Sequence, residues 1–336
     1  MLPKIVFHGE NASSFEPGFA ALLDRPAEIR VLPDALSDPA DIRAYAEADV
    51  VVGVRFDASL PRPRRLSLFH VPGAGYDAVD LAALPAEAAV CNCFGHEQAI
   101  AEYVFAALLA RHVPLAAADA DLRRGVWSYQ SGAPARLHPE LAGKTIGLLG
   151  YGHIGKAIAR RARAFDMGVV VANRSRVATD EDVDLAFTLD RLAEFWSAAD
   201  FFVVSVPATP ETAGMVGAAA FAAMRPNAVV FNVGRGATID ERALYEALRD
   251  RRIAGAVIDT WWRYPSAAEP TPHPSNLPFH ELPNIVMTPH MSGWTEGTVA
   301  RRRAVIADNV VRRLDGCSLV NVVRSGRAPI HGEVDG

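Results

Sequence analysis

Ten short apolar runs punctuate the chain: KIVF, IRVL, ADVVVGV, LSLFHV, TIGLLG, GVVVAN, FFVVSV, AVVFNV, IAGAVID and NIVMT. Each has the length of a strand and is too continuously apolar for a sheet with one wet face, so each reads as a strand buried on both sides. Longer alanine- and leucine-rich segments with helical spacing follow most of them. This alternation constrains the fold more than any other feature, because strands covered on both faces and joined through helices build parallel sheets. The expected class is α/β, with two doubly wound parallel sheets. The first set of strands ends near Cys91 and the second begins at Thr145. Residues 97–124 read as one long helix and residues 295–316, TEGTVARRRAVIADNVVRRLDG, as another. The proline-rich piece YPSAAEPTPHPSNLP, residues 264–278, can continue neither a helix nor a central strand and reads as a loop.

With 336 residues, half of them hydrophobic, the chain has enough material for two domains or one large α/β domain. A net charge of −5 gives no electrostatic reason to expect nucleic acid or an anionic membrane as partner, which leaves small molecules. Cys91, Cys93 and Cys317 are too few for a disulfide framework or a zinc tetrahedron, so no metal is expected and the three read as buried reduced thiols. The N-terminal MLPKIVFHGE lacks a signal-peptide pattern, and no apolar run approaches the ~20 residues of a membrane span. A soluble, cytoplasmic protein is expected. The arginines at 301–303, with Arg312 and Arg313, read as a solvated helix face rather than an anion patch.

The strongest single motif is KTIGLLGYGHIGKAIARRARAFDMG, in which Gly150, Gly152 and Gly155 lie between a strand and a helix. This is G-x-G-x-x-G in its proper setting: a tight turn, close approach of a pyrophosphate, and close helix packing, with backbone N–H groups at the helix start meeting the phosphates. His153 and Ile154 fall at that helix start, His153 touching the cofactor through its backbone only. An NAD site places Asp or Glu at the end of the next strand, on the adenosine ribose. Here GVVVAN ends in Asn173, followed by Arg174, Ser175 and Arg176. A neutral Asn removes repulsion toward a 2′-phosphate, and arginine offers a permanently charged fork for it, so NADP(H) is favoured and NAD(H) is possible. The alternative for both arginines is plain solvent exposure.

Beyond this turn, VVSVPATPET, NVGRGATIDERAL, GAVIDTWW and NIVMTPHMSGWT each run from a strand end into a loop. Ligands of open α/β sheets collect at the carboxyl ends of strands, which places Pro207, Arg235, Asp259 and His290 together. The same loops carry Val206, Thr212, Val233 and Gly293 as further cofactor-side positions. With the glycine turn, and with VPGAGYDAVDL at 71–81, these ordered motifs resemble the D-isomer-specific 2-hydroxyacid dehydrogenase family over most of the chain. The resemblance implies a Rossmann cofactor domain (residues 98–295) inserted into a flavodoxin-like substrate domain (residues 1–97 and 296–336), and a homodimer, with Trp127 placed to reach the partner's site. It implies that Arg235 binds the substrate carboxylate and polarises the keto oxygen, and that His290 is the acid/base. It also makes Gly73, Ala74 and Gly75 the substrate-side loop, whose N–H groups form an anion nest. Chemistry agrees: hydride delivery to a ketone leaves an alkoxide in need of a proton, which histidine is poised to supply, and a 2-keto acid presents a carboxylate suited to arginine. Of the ten histidines, His8, His70, His112 and His331 read as packing or surface residues.

One departure matters. The family pairs its histidine with a glutamate five residues after the strand-end aspartate. Counting from Asp259, the sequence D-T-W-W-R-Y-P puts Tyr264 there. Losing that carboxylate leaves the imidazolium less favoured near neutral pH. Either Glu269 swings in from the proline-rich loop, or Tyr264 hydrogen-bonds the imidazole; the second is preferred because a glutamate flanked by such a loop is usually solvated. The neighbouring Trp261, Trp262 and Trp294 are read as packing. The expected activity is hydride transfer between NADPH and a small 2-keto acid such as glyoxylate or hydroxypyruvate. The alternatives are oxidation of a small anion, as in formate and phosphite dehydrogenases, and a non-catalytic dinucleotide sensor.

Overall fold

The computed structural model describes residues 2–132, 136–266 and 268–326. The chain divides into two compact units, one made of Met1–Gly95 and Thr295–Gly336, the other of His96–Trp294. His331, expected at the surface or in packing, lies outside the described residues.

The first unit contains β1 (Lys4–His8), α1 (Glu10–Ser13), β2 (Glu28–Leu32), α2 (Pro39–Ala46), β3 (Val50–Gly53), β4 (Leu68–His70) and β5 (Ala89–Cys91). It is completed from the far end of the chain by α9 (Glu296–Leu314) and β13 (Val322–Arg324). The strand order β13-β5-β4-β3-β1-β2 is the flavodoxin-like order with one strand added. β13 pairs antiparallel with β5, opposite Cys91 and Val90. The sequence reading missed β13, since three residues after a helix carry too little pattern. Alternate residues of each strand enter two cores. Ile5, Phe7, Val50, Val52 and Leu68 pack with Phe15, Phe19, Ile306 and Val310 on one face. Val6, Val51, Phe69 and Val90 pack with Tyr45, Phe56 and Leu66 on the other. Burial on both faces accounts for the continuously apolar inner runs; the edge strands, β2 here and Ile285–Met287 in the second unit, are not buried in this way, Val31 and Val286 being exposed.

The second unit comprises α3 (Glu97–His112), α4 (Leu115–Arg123), β6 (Thr145–Leu149), α5 (His153–Ala164), β7 (Gly168–Ala172), β8 (Leu185–Phe187), α6 (Leu192–Ser197), β9 (Phe201–Val204), α7 (Ala218–Ala223), β10 (Val229–Asn232), α8 (Glu241–Arg249), β11 (Gly255–Ile258) and β12 (Ile285–Met287). Its wholly parallel sheet runs β12-β11-β10-β9-β6-β7-β8, with the order reversal of a dinucleotide fold at β6 and β9. The strands again split their side chains between two cores. Ile146, Leu148, Val169, Val203 and Phe231 meet α3 and α5 through Val104, Leu108, Ile158 and Ala162. Leu149, Phe202, Val204, Val230 and Ile258 meet Phe195, Trp196, Phe221 and Leu244.

Three expectations need correction. The single helix over 97–124 is two, because Pro114 drives Val113 into an extended conformation (φ −108°, ψ 105°) and cannot donate to the preceding turn. The arginine run lies only partly in solvent: Arg301 is exposed, Arg302 buried and Arg303 intermediate. Arg301 donates to Gly95 O at 2.8 Å, Arg302 to Phe94 O at 3.3 Å and Pro72 O at 3.2 Å, and Arg303 to Phe15 O at 3.1 Å. Guanidinium forks reach carbonyls at strand and loop ends that helix and sheet leave without donors. Cys91 and Cys93 are buried, but Cys317 is exposed, in the turn after α9.

His70 is fully buried; its Nδ1 donates to Val71 O at 3.2 Å and its Nε2 accepts from the Asn309 amide at 3.0 Å. Desolvation pushes the imidazole down to about 4 from an ordinary 6.5. Burial lowers His8 as well. Below pH 6.5 the unfolded chain therefore takes up protons that the native state refuses, so acid favours unfolding. The expected loss from His70 between neutrality and pH 4 is about 3 kcal/mol. Denaturant titrations across that range should show it, and His70→Gln should flatten the slope.

Candidate active site

Along one edge of the second sheet, the carboxyl ends of β12, β11, β10, β9, β6 and β7 follow one another. His290 follows β12; Asp259 and Tyr264 follow β11; Val233 and Arg235 follow β10; Val206, Pro207 and Thr212 follow β9; the glycine turn follows β6, and Asn173 to Arg176 follow β7. Gly73, Ala74 and Gly75 belong to the other unit, after β4.

The three turn glycines do different work. Gly150 has φ +96°, which L side chains rarely adopt, and a Cβ there would meet Val206 Cγ1 at 3.0 Å. A Cβ on Gly155 would lie 2.4 Å from Gly150 O, so only glycine lets α5 start so close to the strand. On Gly152 a Cβ would meet nothing within 4 Å: the space before the helix is open. No side chain caps α5, and a helix start of this kind suits a ligand phosphate. The cradle therefore fits a dinucleotide pyrophosphate.

Asn173 ties this turn to the next. Its Oδ1 accepts from Tyr151 N at 3.2 Å and its Nδ2 donates to Ser175 O at 3.0 Å. Arg174, Ser175 and Arg176 are exposed beyond it. The charge of Arg174 reaches Glu211, whose carboxyl is held below its usual range, chiefly by a hydrogen bond from Thr209. Thr212 turns inward instead, its hydroxyl donating to Pro207 O at 2.6 Å.

Arg235 stands on a wedged backbone. A Cβ on Gly234 would meet Val206 O at 2.8 Å, and one on Gly236 would meet Trp261 O at 2.2 Å, so both flanking glycines are demanded by neighbouring strand ends. The Arg235 carbonyl accepts from Asn232 Nδ2 at 3.0 Å and Thr238 Oγ1 at 2.6 Å. The guanidinium is half-buried, with Nη1 donating to Gly234 O at 3.0 Å.

His290 sits at φ +59°, in the left-handed region that a non-glycine residue occupies only when held there. Asp259 holds it. The buried carboxylate accepts from Thr288 Oγ1 at 2.6 Å, Met291 N at 2.9 Å and Ser292 N at 3.0 Å, thereby bracketing His290. Because Thr288 spends its proton on Asp259, Tyr103 donates in turn to Thr288 at 2.6 Å. Gly293 follows where a Cβ would press on His96 Cβ at 3.3 Å.

Tyr264 Oη lies 2.9 Å from His290 Nδ1 and accepts from Trp261 N at 3.2 Å. Glu269 is engaged elsewhere, in an ion pair with Arg263. Trp261 is buried and donates to Thr288 O at 2.7 Å; Trp262 stacks on Phe279 and donates to Ile239 O at 3.0 Å; Trp294 stays exposed. Among the described residues no cluster of three or more His, Cys, Asp or Glu side chains is arranged to hold a metal ion. No single helix there is long and apolar enough to cross a membrane. The sequence reading missed Tyr103, Thr288, Asn232 and Thr238, all uncharged residues that act by fixing others; only Asn232, within N-V-x-R-G, carried a readable signal.

A cradle for a dinucleotide with a guanidinium and an imidazole at nearby strand ends is the architecture of a nicotinamide-dependent oxidoreductase. The model of the D-isomer specific 2-hydroxyacid dehydrogenase NAD binding domain matches residues 105–292, and the chain belongs to that family of NAD(P)-dependent oxidoreductases. It is 30% identical to a glyoxylate reductase of Thermococcus gammatolerans over 306 residues, covering 86% of this chain and 87% of that one. It is also 30% identical to the D-3-phosphoglycerate dehydrogenase of Methanocaldococcus jannaschii, covering 92% of this chain but 57% of the relative's length. An NADPH-dependent glyoxylate/hydroxypyruvate reductase from Sinorhizobium meliloti, solved with NADP and malonate, superposes with a TM-score of 0.75 at 27% identity, covering 97% of this chain and 98% of that one.

The Asp259 bracket yields a direct test. In Asp259→Asn an amide N–H replaces one acceptor and faces a donor, which should cost roughly 2 kcal/mol of stability. Release of the His290 turn should lower kcat about 100-fold or more. Thermal melts and steady-state kinetics read the two effects separately.

Proposed function

We propose that this protein reduces a small 2-keto acid of the glyoxylate or hydroxypyruvate type with NADPH. The observation that carries this reading is the placement of Arg235 and His290 after strands separated only by β11, His290 in a turn fixed by Asp259. Adjacent parallel strands lie about 4.8 Å apart, so two strand ends flanking a third suit the span of a three-carbon acid.

The bound dihydronicotinamide supplies the hydride. Arg235 offers a cation to the substrate carboxylate and to the negative charge that develops on the carbonyl oxygen. His290 delivers the proton. Tyr264 Oη accepts from Trp261 N and, when His290 is an imidazolium, from its Nδ1, which orients the ring for Nε2 to pass its proton to the substrate oxygen. Gly73, Ala74 and Gly75 take the substrate carboxylate through their N–H groups.

Preference for NADPH is supported by the neutral Asn173, whose side chain is spent on Tyr151 and Ser175, and by the exposed Arg174 and Arg176. A homodimer is supported by α4, which buries none of its residues and exposes Leu115 and Leu122, with Val126 and Trp127 exposed just after it.

Loss of NADPH absorbance with a panel of 2-keto acids, and its gain with formate or phosphite and NADP+, tests the activity. Turnover of none of the keto acids would end the proposal. Tyr264→Phe should lower kcat about 10-fold or more, while Glu269→Gln leaves it within about 2-fold. Tyr264→Glu should carry the alkaline limb of the kcat profile to higher pH, since a carboxylate favours the imidazolium. Arg174→Ala should reduce the ratio of kcat/KM for NADPH over NADH about 10-fold, a loss of roughly 1.4 kcal/mol.

A further inference from the structure

We propose that Arg302 and Asn92 are positioning residues for carboxylate recognition, because they set the direction of the N–H groups of Gly73, Ala74 and Gly75. This rests on the 2-keto acid reading above. Four consecutive carbonyls in this loop are pinned from behind. Val71 O accepts from His70 Nδ1 at 3.2 Å and Cys93 Sγ at 3.5 Å; Pro72 O accepts from Arg302 Nη1 at 3.2 Å. Gly73 O accepts from Cys93 N at 3.0 Å, and Ala74 O from Asn92 Nδ2 at 2.7 Å.

In a planar trans peptide the carbonyl and the following N–H point in opposite directions. Pinning the carbonyls of Pro72, Gly73 and Ala74 therefore turns the N–H groups of Gly73, Ala74 and Gly75 away from the backing. Among the described residues no protein acceptor takes those three N–H groups. A Cβ on Gly73 would meet nothing within 4 Å, so the space beside it is open. The loop thus presents three N–H donors whose directions are fixed in advance, which suits an anionic group.

Arg302 contributes more than a peg. It is only 9% exposed, Nε on Phe94 O at 3.3 Å and Nη1 on Pro72 O. Its charge lies behind a peptide whose far side faces the ligand, so the guanidinium polarises that peptide and strengthens its N–H as a donor. Asn92, 7% exposed, does the geometric part at Ala74 without charge. Cys93 donates its backbone N–H and keeps its thiol proton, burial having pushed it up to about 12.

A carboxylate has the same charge in the ground and transition states, so loss of the clamp should weaken binding without slowing the chemical step. The experiment measures oxalate binding to the NADP+ complex by calorimetry, and KM and kcat for glyoxylate, in folded variants. Arg302→Met should weaken oxalate about 10-fold or more and raise KM to match, with kcat within about 3-fold and NADPH affinity unchanged. Arg302→Lys, which keeps the charge but not the fork, should recover part of the loss, and Asn92→Ala should move the same way by less. Arg303→Ala, which frees Phe15 O and Ser14 O from the same helix, should leave oxalate binding unchanged.

If Arg302→Met does not fold, Asn92→Ala decides. Wild-type oxalate affinity in both variants overturns the clamp and leaves the keto acid reading standing. An equal loss in Arg303→Ala overturns it too, as general loosening of α9. A wild-type protein that neither binds oxalate nor turns over keto acids ends the substrate reading and this inference with it.

Discussion

A buried carboxylate must be compensated in full, and the way Asp259 is compensated organises the candidate site. At zero exposure an ionised Asp costs several kcal/mol unless donors surround it. Its donors come from Thr288, Met291 and Ser292, on the loop after the neighbouring strand. The same three bonds that make the charge tolerable force the intervening His290 into left-handed backbone. The strain at His290 and the desolvation of Asp259 are both costs, and the same three hydrogen bonds offset them.

The aromatic residues after β11 follow from this arrangement. Trp261 binds Thr288 O with its indole and Tyr264 with its backbone N–H, so one residue ties the Asp259 bracket to the hydroxyl beside the imidazole. A phenol in place of a carboxylate also changes the charge of the site. Glu269 is neutralised by Arg263 and does not face His290, so Arg235 has one fewer negative charge to compete with when an anionic substrate arrives. Electrostatic support for the imidazolium is surrendered and attraction for the substrate is gained.

The parallel sheets and the glycine turn were legible in the sequence because they rest on local rules: apolar runs of strand length, and glycines where a Cβ would collide or a positive φ is needed. Pro114, by contrast, was visible in the sequence, yet strong helical spacing on both sides concealed the break it makes at Val113. The short edge strands β8 and β13 were not legible, since three residues give almost no periodicity and the pairing of β13 with β5 is decided by a distant segment. The positions of Arg235 and His290 followed from topology, but the devices that fix them did not. Asn232, Thr238, Thr288 and Tyr103 act through hydrogen bonds between segments far apart in sequence, and uncharged residues of that kind carry no pattern of their own. The arginines of α9, of which Arg302 is the buried one, were misread in part for the opposite reason. Their pattern was clear and suggested solvent, whereas the long side chains reach carbonyls that only the folded chain brings near.

The two anion-binding elements proposed for this chain, the start of α5 and the loop at Gly73, Ala74 and Gly75, would use the main chain rather than side chains for direct contact. At α5 the direction of the N–H groups is set by the helix itself, since each following carbonyl is committed to the next turn. A loop has no such internal order, and its peptides would turn freely unless the carbonyls were held. Arg302, Asn92 and Cys93 supply from outside the constraint that a helix generates from within. The macrodipole at α5 has its counterpart in the buried guanidinium of Arg302, which places positive charge one peptide behind the donors. A cation in direct contact would bind an anion more strongly, but a flexible one would also bind it in more than one pose. Charge set behind a rigid peptide keeps the attraction and leaves the geometry to the backbone, which is what a reaction at the neighbouring carbonyl carbon demands.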